Sequence, residues 1–200
     1  LSAENQMKWD HLRPSQDEYD FEDADAIVDF AEEHGQEVRG HTLLWHSQNP
    51  EWLESGDFSE EELRDILQDH IETVVGRYAG QIHQWDVVNE IYEEDGSLRT
   101  EENIWIRELG EEIIAEAFHW AHEADPTADL YLNDYNVEGV NDKSDAYYDL
   151  AQDLLDQDVP LHGFSAQTHL SIEYGFPGDL QENLERFEVL GLGTALTEVD

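Results

Sequence analysis

The chain has 200 residues, and its 50 Asp and Glu against nine Lys and Arg give a formal net charge of −41 at pH 7. This balance argues against a nucleic-acid partner and against a basic membrane-surface role, because both depend on clustered cationic side chains. Six Trp, eight Tyr and seven Phe in a chain that is 39% hydrophobic argue against disorder and indicate a folded protein.

Five short apolar runs have the character of β-strands, and amphipathic helical patterns separate them. The strand-like runs cover residues 38–45, 82–88, 130–132, 163–169 and 194–199. Helices are predicted over 24–34, from a capping box at Ser59 to Val75, and over 104–124, 147–155 and 180–190. We expect the third helix to stop before Asp125, because the proline that follows disfavours helical geometry there.

The alternation of strands and helices predicts parallel strands buried beneath helices, in either an open doubly wound sheet or a (β/α)-barrel. The open sheet is disfavoured because no glycine-rich phosphate-binding turn follows the first strand. We therefore expect an α/β protein of the (β/α)8 TIM-barrel type. No linker or low-complexity tract interrupts residues 1–200, which predicts a single domain.

Polar side chains follow each predicted strand at its carboxyl end, and a barrel brings all such ends to one face. Taken singly, each of these residues is more often a loop, cap or core residue than a catalyst. Together they give one face two glutamates, two histidines, several amides and a tryptophan, with almost no cations. They are Glu90 and Asn89, Glu198, Gln167 and His169, and His41 with Trp45 and Gln48 beyond it. Such a face suits a neutral polyhydroxylated ligand, because amides and carboxylates bind hydroxyls and an indole stacks on a sugar ring.

Other hydrolytic chemistries lack their motifs. The sequence has no HExxH helix, no GxSxG elbow and no cysteine. His41 and His46 lie five residues apart, so a regular strand would place them on opposite faces rather than as a metal-binding pair. A pair of carboxylates therefore remains the simplest catalytic group for hydrolysis.

Six segments of the chain, in order, resemble glycoside hydrolase family 10. They are ENQMKW at 4–9, RGHTLLWHSQ at 39–48, WDVVNE at 85–90, NDYN at 133–136, QTHL at 167–170 and LTEVD at 196–200. The resemblance extends over essentially the whole chain and implies an endo-1,4-β-xylanase that hydrolyses xylan with retention of anomeric configuration. It implies no metal or organic cofactor, and it implies xylan and xylo-oligosaccharides as the ligands.

The resemblance also implies roles for individual residues. Glu90 would be the general acid/base and Glu198 the nucleophile, and a retaining pair needs its carboxyl groups ~5–5.5 Å apart. Glu90 must then hold a proton while Glu198 is ionised. Substrate-binding roles are implied for Glu4, Asn5 and Lys8 beyond the attacked sugar, for His41, Trp45, Gln48, Asn89 and Gln167 around it, for His169 beside the nucleophile, and for Tyr135 near the leaving sugar.

Two alternatives to a xylanase stay open. One is a different β-glycanase on the same barrel, such as a cellulase. The other is a carbohydrate-binding protein that retains ligand affinity without turnover. Comparing rates on xylan and cellulose oligomers, and comparing binding with sugar release, separates these possibilities.

The predicted strands correspond to roughly the second to the seventh of the eight in a family barrel, or about six of eight βα units. We therefore expect a partial catalytic barrel whose activity belongs to a longer protein. The polymeric substrate implies secretion, although the chain carries no signal-peptide pattern. The excess of carboxylates, with only two lysines, further predicts adaptation to high salt, since strong brine screens self-repulsion.

Overall fold

The computed structural model describes every residue except Ile172 and Tyr174. The strands within this part are β1 (Val38–Leu44), β2 (Ile82–Asn89), β3 (Asp129–Asp134), β4 (Gly163–Ala166) and β5 (Gly193–Leu196). The helices are α1 (Trp9–Leu12), α2 (Glu22–Glu33), α3 (Glu51–Glu54), α4 (Glu60–Arg77), α5 (Ile104–Leu109), α6 (Ile113–Ala124), α7 (Asp142–Asp156) and α8 (Leu180–Val189). No described helix is both long and apolar enough to cross a bilayer.

The five strands form one parallel sheet in the order β1-β2-β3-β4-β5, which is also their order in the chain. A doubly wound sheet reverses its strand order at a switch point, whereas a barrel adds each new strand on the same side. The sheet is therefore a sector of a (β/α)8 barrel. At the free edge of β1, Ser2 forms a parallel bridge with Arg39, so the N-terminal segment occupies the neighbouring position.

The helix predicted over 104–124 is wrong as a single element. The structure has two helices there, α5 and α6, which are separated at Gly110 with φ of 79°. Asn103 caps α5 by accepting from the backbone N–H groups of Trp105 and Ile106. α6 ends at Ala124, before Asp125, as the following proline predicts. The Ser59 capping box at the start of α4 is also present, with both of its hydrogen bonds.

Two predicted strands are too long at their carboxyl ends. β4 stops at Ala166 rather than residue 169, and β5 stops at Leu196 rather than residue 199. Thr168 has a left-handed backbone, with φ of 67°, which is incompatible with a continuing strand. The segments beyond both strands carry several of the predicted site residues, and backbone hydrogen bonds from Thr197 to Ala166 and from Glu198 to Gln167 still join them.

The interior of the sheet contains a buried charged network as well as apolar side chains. Arg39 of β1 contacts Asp86 of β2 and donates to Ser165 Oγ of β4 at 2.8 Å. Burial disfavours the charge of Asp86, but Arg39 and His41 outweigh it and hold the pKa of Asp86 below its ordinary value. Gly40 is required beside this network, because a Cβ there would lie 2.2 Å from the Trp85 ring.

Candidate active site

Four polar side chains from different strands lie together at the carboxyl edge of the sheet. Asn133 is near the end of β3, Glu90 and Gln167 directly follow β2 and β4, and Glu198 lies two residues beyond β5. The strands are parallel and adjacent, so these side chains meet at one edge despite their distance in sequence.

Two amides connect the carboxylates Glu90 and Glu198 in a reciprocal pattern. The Gln167 side chain donates to Glu90 Oε1 at 2.8 Å, while its backbone carbonyl accepts from the Glu198 N–H at 2.9 Å. The Asn133 side chain donates to Glu198 Oε1 at 3.1 Å, while its backbone carbonyl accepts from the Glu90 N–H at 3.0 Å. Each amide therefore binds one carboxylate through its side chain and the backbone of the other, which fixes the two acids relative to each other.

The amide orientation of Asn133 is set by its neighbours. Its Oδ1 accepts from the Thr197 hydroxyl at 2.9 Å, so its Nδ2 faces Glu198 and also donates to Asn89 Oδ1 at 3.0 Å. Asn89 and Asn133 are fully buried, which shields this part of the site from water. Buried hydrogen bonds to a charged group are stronger than exposed ones, so the network holds Glu198 in one place.

Trp45 lies directly after β1 and donates from Nε1 to Glu90 Oε2 at 2.8 Å. Both oxygens of Glu90 thus accept a hydrogen bond, from Trp45 and from Gln167. A carboxyl oxygen has two acceptor positions, so Glu90 can keep these bonds and still carry a proton. The other face of the site holds Lys8, whose ammonium lies 4.8 Å from the centre of the Trp45 ring.

Lys8 belongs to the N-terminal segment, which closes one side of the site. It donates to Asn5 Oδ1 at 3.0 Å and is buried. Burial lowers the pKa of Lys8 from its ordinary value, and the negative charges of Glu198 and Glu90 oppose that shift. The influence of both glutamates on one ammonium group agrees with their placement on the same face.

His169 lies between two carboxylates. Its Nε2 is 3.4 Å from Glu198 Oε2, and its Nδ1 is 3.2 Å from Asp200 Oδ1. His41 lines the smaller cleft, and its Nδ1 is 2.9 Å from Asp86 Oδ2. Gln48 makes no side-chain hydrogen bond in the described part of the chain, and its backbone carbonyl accepts from the Asp10 N–H at 3.0 Å, which does not connect it to Glu90 or Glu198.

The site opens into two clefts that meet at His169 and Asp200. One has a volume of about 430 Å³ and is lined by Glu4, Asn5, Lys8, His41 and Glu198 among others. The other has a volume of about 700 Å³ and lies toward Asn136, Glu138 and Phe176. Because the two clefts share residues, they form a groove that passes beside Glu198. An open groove accommodates the interior of a polymer, whereas a closed pocket would accept only its end.

Sequence reasoning missed three residues that contact the site. Asn133 was part of the NDYN segment but carried no predicted role. His46 lies with Nδ1 3.9 Å from Glu90 Oε2, and burial together with Arg99 lowers the pKa of His46. Arg99 donates from Nη2 to the Tyr135 hydroxyl at 3.1 Å and from Nε to the Glu90 carbonyl at 3.1 Å. The buried Arg99 had no recognisable signal, since it lies in an acidic loop between elements.

The arrangement can support acid–base and nucleophilic chemistry through its own side chains. Two carboxylates lie at one edge of the sheet with Glu198 lining the groove, hydrogen-bond donors fix both, and a histidine lies near each. No group of three or more His, Asp or Glu side chains is placed to hold a metal ion among the residues that the structure describes.

Comparison with known proteins agrees with this geometry. The profile of glycosyl hydrolase family 10 matches residues 1–200. An endo-1,4-beta-xylanase B from Thermotoga neapolitana is 44% identical over 200 residues, which is all of this chain and 57% of that protein. An endo-1,4-beta-xylanase from Agaricus bisporus is 42% identical and is covered over 59% of its length. The chain therefore spans less than two thirds of the curated relatives it matches.

Comparison with solved structures also finds xylanases. The native xylanase 10B from Thermotoga maritima superposes with a TM-score of 0.96 at 44% identity, covering all of this chain and 61% of that one. An intracellular xylanase from Thermoanaerobacterium saccharolyticum superposes with a TM-score of 0.91 at 39% identity, over 98% of this chain and 64% of that one. The expected fold class, an incomplete (β/α)8 barrel, is confirmed.

Proposed function

The chain belongs to glycosyl hydrolase family 10, and from this premise we propose that the protein is an endo-1,4-β-xylanase that cleaves internal bonds of xylan with retention. The observation that carries the proposal is the pair of amides, Asn133 and Gln167, that fixes Glu90 and Glu198 relative to each other at the carboxyl edge of the sheet, where Glu198 lines the groove. The proposal of xylan as the substrate rests on the names of the relatives, which are xylanases, and the proposed mechanism rests on the carboxylate pair.

The proposed reaction has two steps. Glu198 attacks the anomeric carbon while Glu90 donates its proton to the leaving oxygen, which gives a covalent glycosyl-enzyme. Water then attacks the same carbon, with Glu90 accepting its proton, and Glu198 is released. Both steps use groups that are already held in place, so little reorganisation is needed as charge moves.

The remaining site residues take binding roles in this proposal. Glu4, Asn5 and Lys8 line the smaller cleft and would bind sugars beyond the attacked one. Tyr135 would face the leaving sugar. His41, Trp45, Gln48, Asn89 and Gln167 would surround the attacked sugar, and His169 would hydrogen-bond the nucleophile. Xylan and its oligosaccharides are neutral in their backbone, which suits a groove whose exposed charges are carboxylates.

Linear xylo-oligosaccharides and cello-oligosaccharides of equal length test the substrate class. We expect the full-length protein to cleave the xylose series about 10–200 times faster, since a pocket shaped for xylose discriminates against an added hydroxymethyl group to about that extent. The first product, followed by NMR, should have the β configuration. Equal rates would favour a broader β-glycanase, and an α product would exclude the retaining mechanism.

The same oligosaccharides test whether the protein only binds. Calorimetry beside a sugar-release assay should show binding accompanied by hydrolysis. Measurable affinity without sugar release from the full-length protein would support the non-catalytic alternative instead.

We also propose that the protein is adapted to high salt. Both lysines, Lys8 and Lys143, are buried, so the exposed surface carries no lysine among the described residues while most of its carboxylates face solvent. The Debye length falls from about 10 Å at 0.1 M salt to about 3 Å at 1 M, which weakens repulsion between surface carboxylates.

Thermal unfolding in increasing NaCl tests this adaptation. We expect the midpoint to rise by at least about 4 °C between 0.1 M and 2 M NaCl, which for a domain of this size corresponds to roughly 1–2 kcal/mol. Sucrose at equal osmolality is the control and should not reproduce the full shift, because it does not screen charge. A midpoint that stays flat or falls in NaCl would contradict salt adaptation.

We propose secretion as the location, because polymeric xylan cannot enter a cell. Family membership leaves the compartment open, since one matched relative is an intracellular xylanase. Detection of the protein in culture medium, rather than in washed cells, is the expected result.

A further inference from the structure

The backbone at Glu90 is unusual for a residue with a side chain. Its φ is 56°, in the left-handed region that residues other than glycine seldom occupy. This conformation ends β2 and turns the next peptide group out of the sheet ladder. A left-handed residue at a reacting position persists only if its surroundings hold it there.

The peptide group that joins Glu90 to Ile91 is held on both sides by buried side chains. Arg99 donates from Nε to the Glu90 carbonyl at 3.1 Å, and the Ile91 N–H donates to the Tyr147 hydroxyl at 3.1 Å. Tyr147 is fully buried and Arg99 is 6% exposed. Neither polar atom of this peptide group is therefore left to the neighbouring strand or to water.

Asp134 and Lys143, which lie behind Tyr147, fix the position of its hydroxyl. It donates to Asp134 Oδ2 at 2.7 Å, and Asp134 Oδ1 lies 2.8 Å from the buried Lys143 ammonium. Burial raises the pKa of Tyr147 well above its ordinary value, so the hydroxyl stays a donor to Asp134 and has its lone pairs free for Ile91. Arg99 is likewise fixed, because it also pairs with Glu102 and donates to the Tyr135 hydroxyl.

We propose that Tyr147 and Arg99 are positioning residues for proton transfer by Glu90, acting through the Glu90–Ile91 peptide group rather than by touching substrate. This inference rests on the proposed glycosidase function. The clamp formed by these two side chains holds the left-handed backbone from which the Glu90 carboxyl reaches Trp45 and Gln167. Loosening it displaces the acid from the leaving oxygen, while neither clamp side chain contacts Glu198.

Tyr147→Phe in the full-length protein tests the clamp, because it removes one hydroxyl and retains the ring in the core. We expect kcat on xylo-oligosaccharides to fall about 10- to 100-fold, the loss typical of a catalytic group misplaced by an ångström, with KM within about twofold. On an aryl xylobioside with a good leaving group, kcat/KM should fall less than about threefold, since that leaving group needs little protonation.

Tyr148→Phe is the matched control. Tyr148 is the next residue of α7, half-buried against Phe187, and its hydroxyl makes no hydrogen bond within the described residues. We expect this variant to keep wild-type rates on both substrates. A purely structural effect of losing a tyrosine hydroxyl would lower stability in either variant without changing the preference for leaving groups.

Three results would overturn the clamp: no loss in Tyr147→Phe, an equal loss on both substrates, or rapid hydrogen exchange at the Ile91 amide of the wild-type protein. If Tyr147→Phe fails to fold, Arg99→Lys, which keeps the charge and loses the Nε donor, must show the same selective loss. An inactive wild-type protein, or a Glu90→Gln variant with full activity, would instead overturn the proposed function.

Discussion

Replacing Glu198 by Gln should lower reducing-sugar release from xylan by about 10⁴-fold or more, the scale of loss seen when a catalytic nucleophile is removed. The amide has nearly the same shape as the carboxylate, and its oxygen can still accept the hydrogen bond from Asn133 that Glu198 Oε1 receives at 3.1 Å. The fold and the groove should therefore be retained. Turnover fails because a neutral amide does not form the ester bond to the anomeric carbon on which a retaining mechanism depends.

Glu188→Gln provides the control for this experiment. Glu188 lies on α8, is exposed, and accepts from the Thr194 hydroxyl of β5 at 2.9 Å, so the change removes one charge close to β5 but outside the groove. We expect its activity within about twofold of wild type. Full-length Glu198→Gln protein that keeps more than a tenth of wild-type turnover would exclude Glu198 as the nucleophile.

The order of strands and helices was predictable because hydrophobic periodicity is a local property. The five apolar runs begin within one residue of the observed strands, and the Ser59 capping box was recognisable from four consecutive residues. The break at Gly110 was missed because apolar residues at helical spacing continue on both sides of it. A single glycine destabilises a helix by only about 1 kcal/mol, so the glycine alone was not enough to predict a break in the apolar pattern.

The ends of the strands were harder to predict than their starts. The predicted strands run on through the polar residues that follow Ala166 and Leu196, whereas the observed strands end at these two residues. What ends the strands is contact with other segments, such as Glu138, whose carboxylate accepts from the Thr168 N–H at 2.8 Å. A partner 30 residues away in sequence leaves no local signal.

That the candidate site residues lie together was predictable to the extent that strand ends identify them. Glu90, Gln167 and Glu198 follow strands, and parallel strands bring such residues together. Tyr147 could not be found in this way, because in the sequence it is an apolar position on the buried stripe of a helix. Its contact with the Ile91 amide spans 56 residues and depends on how α7 packs against the end of β2. Supporting residues of this kind require the three-dimensional packing.

Replacing Glu90 by Gln should separate substrates according to their leaving groups. On xylan we expect kcat/KM to fall about 10²–10⁴-fold, the usual contribution of general acid–base catalysis. On an aryl glycoside with a good leaving group, kcat/KM should fall less than about tenfold, because bond cleavage there needs little proton donation. The oxygen of the introduced amide can still accept the hydrogen bond from Trp45 or from Gln167, so the variant should fold.

The second step should reveal the other role of Glu90. Without a base to activate water, the glycosyl-enzyme accumulates, and the aryl glycoside should release a rapid burst of phenol close to the enzyme concentration before a slow steady state. Glu94→Gln is the control: Glu94 is an exposed residue four positions after Glu90, and its replacement removes the same charge. This variant should show neither the difference between the two substrates nor the burst. Equal losses on xylan and on the aryl glycoside, with no burst, would show that Glu90 is not the acid/base.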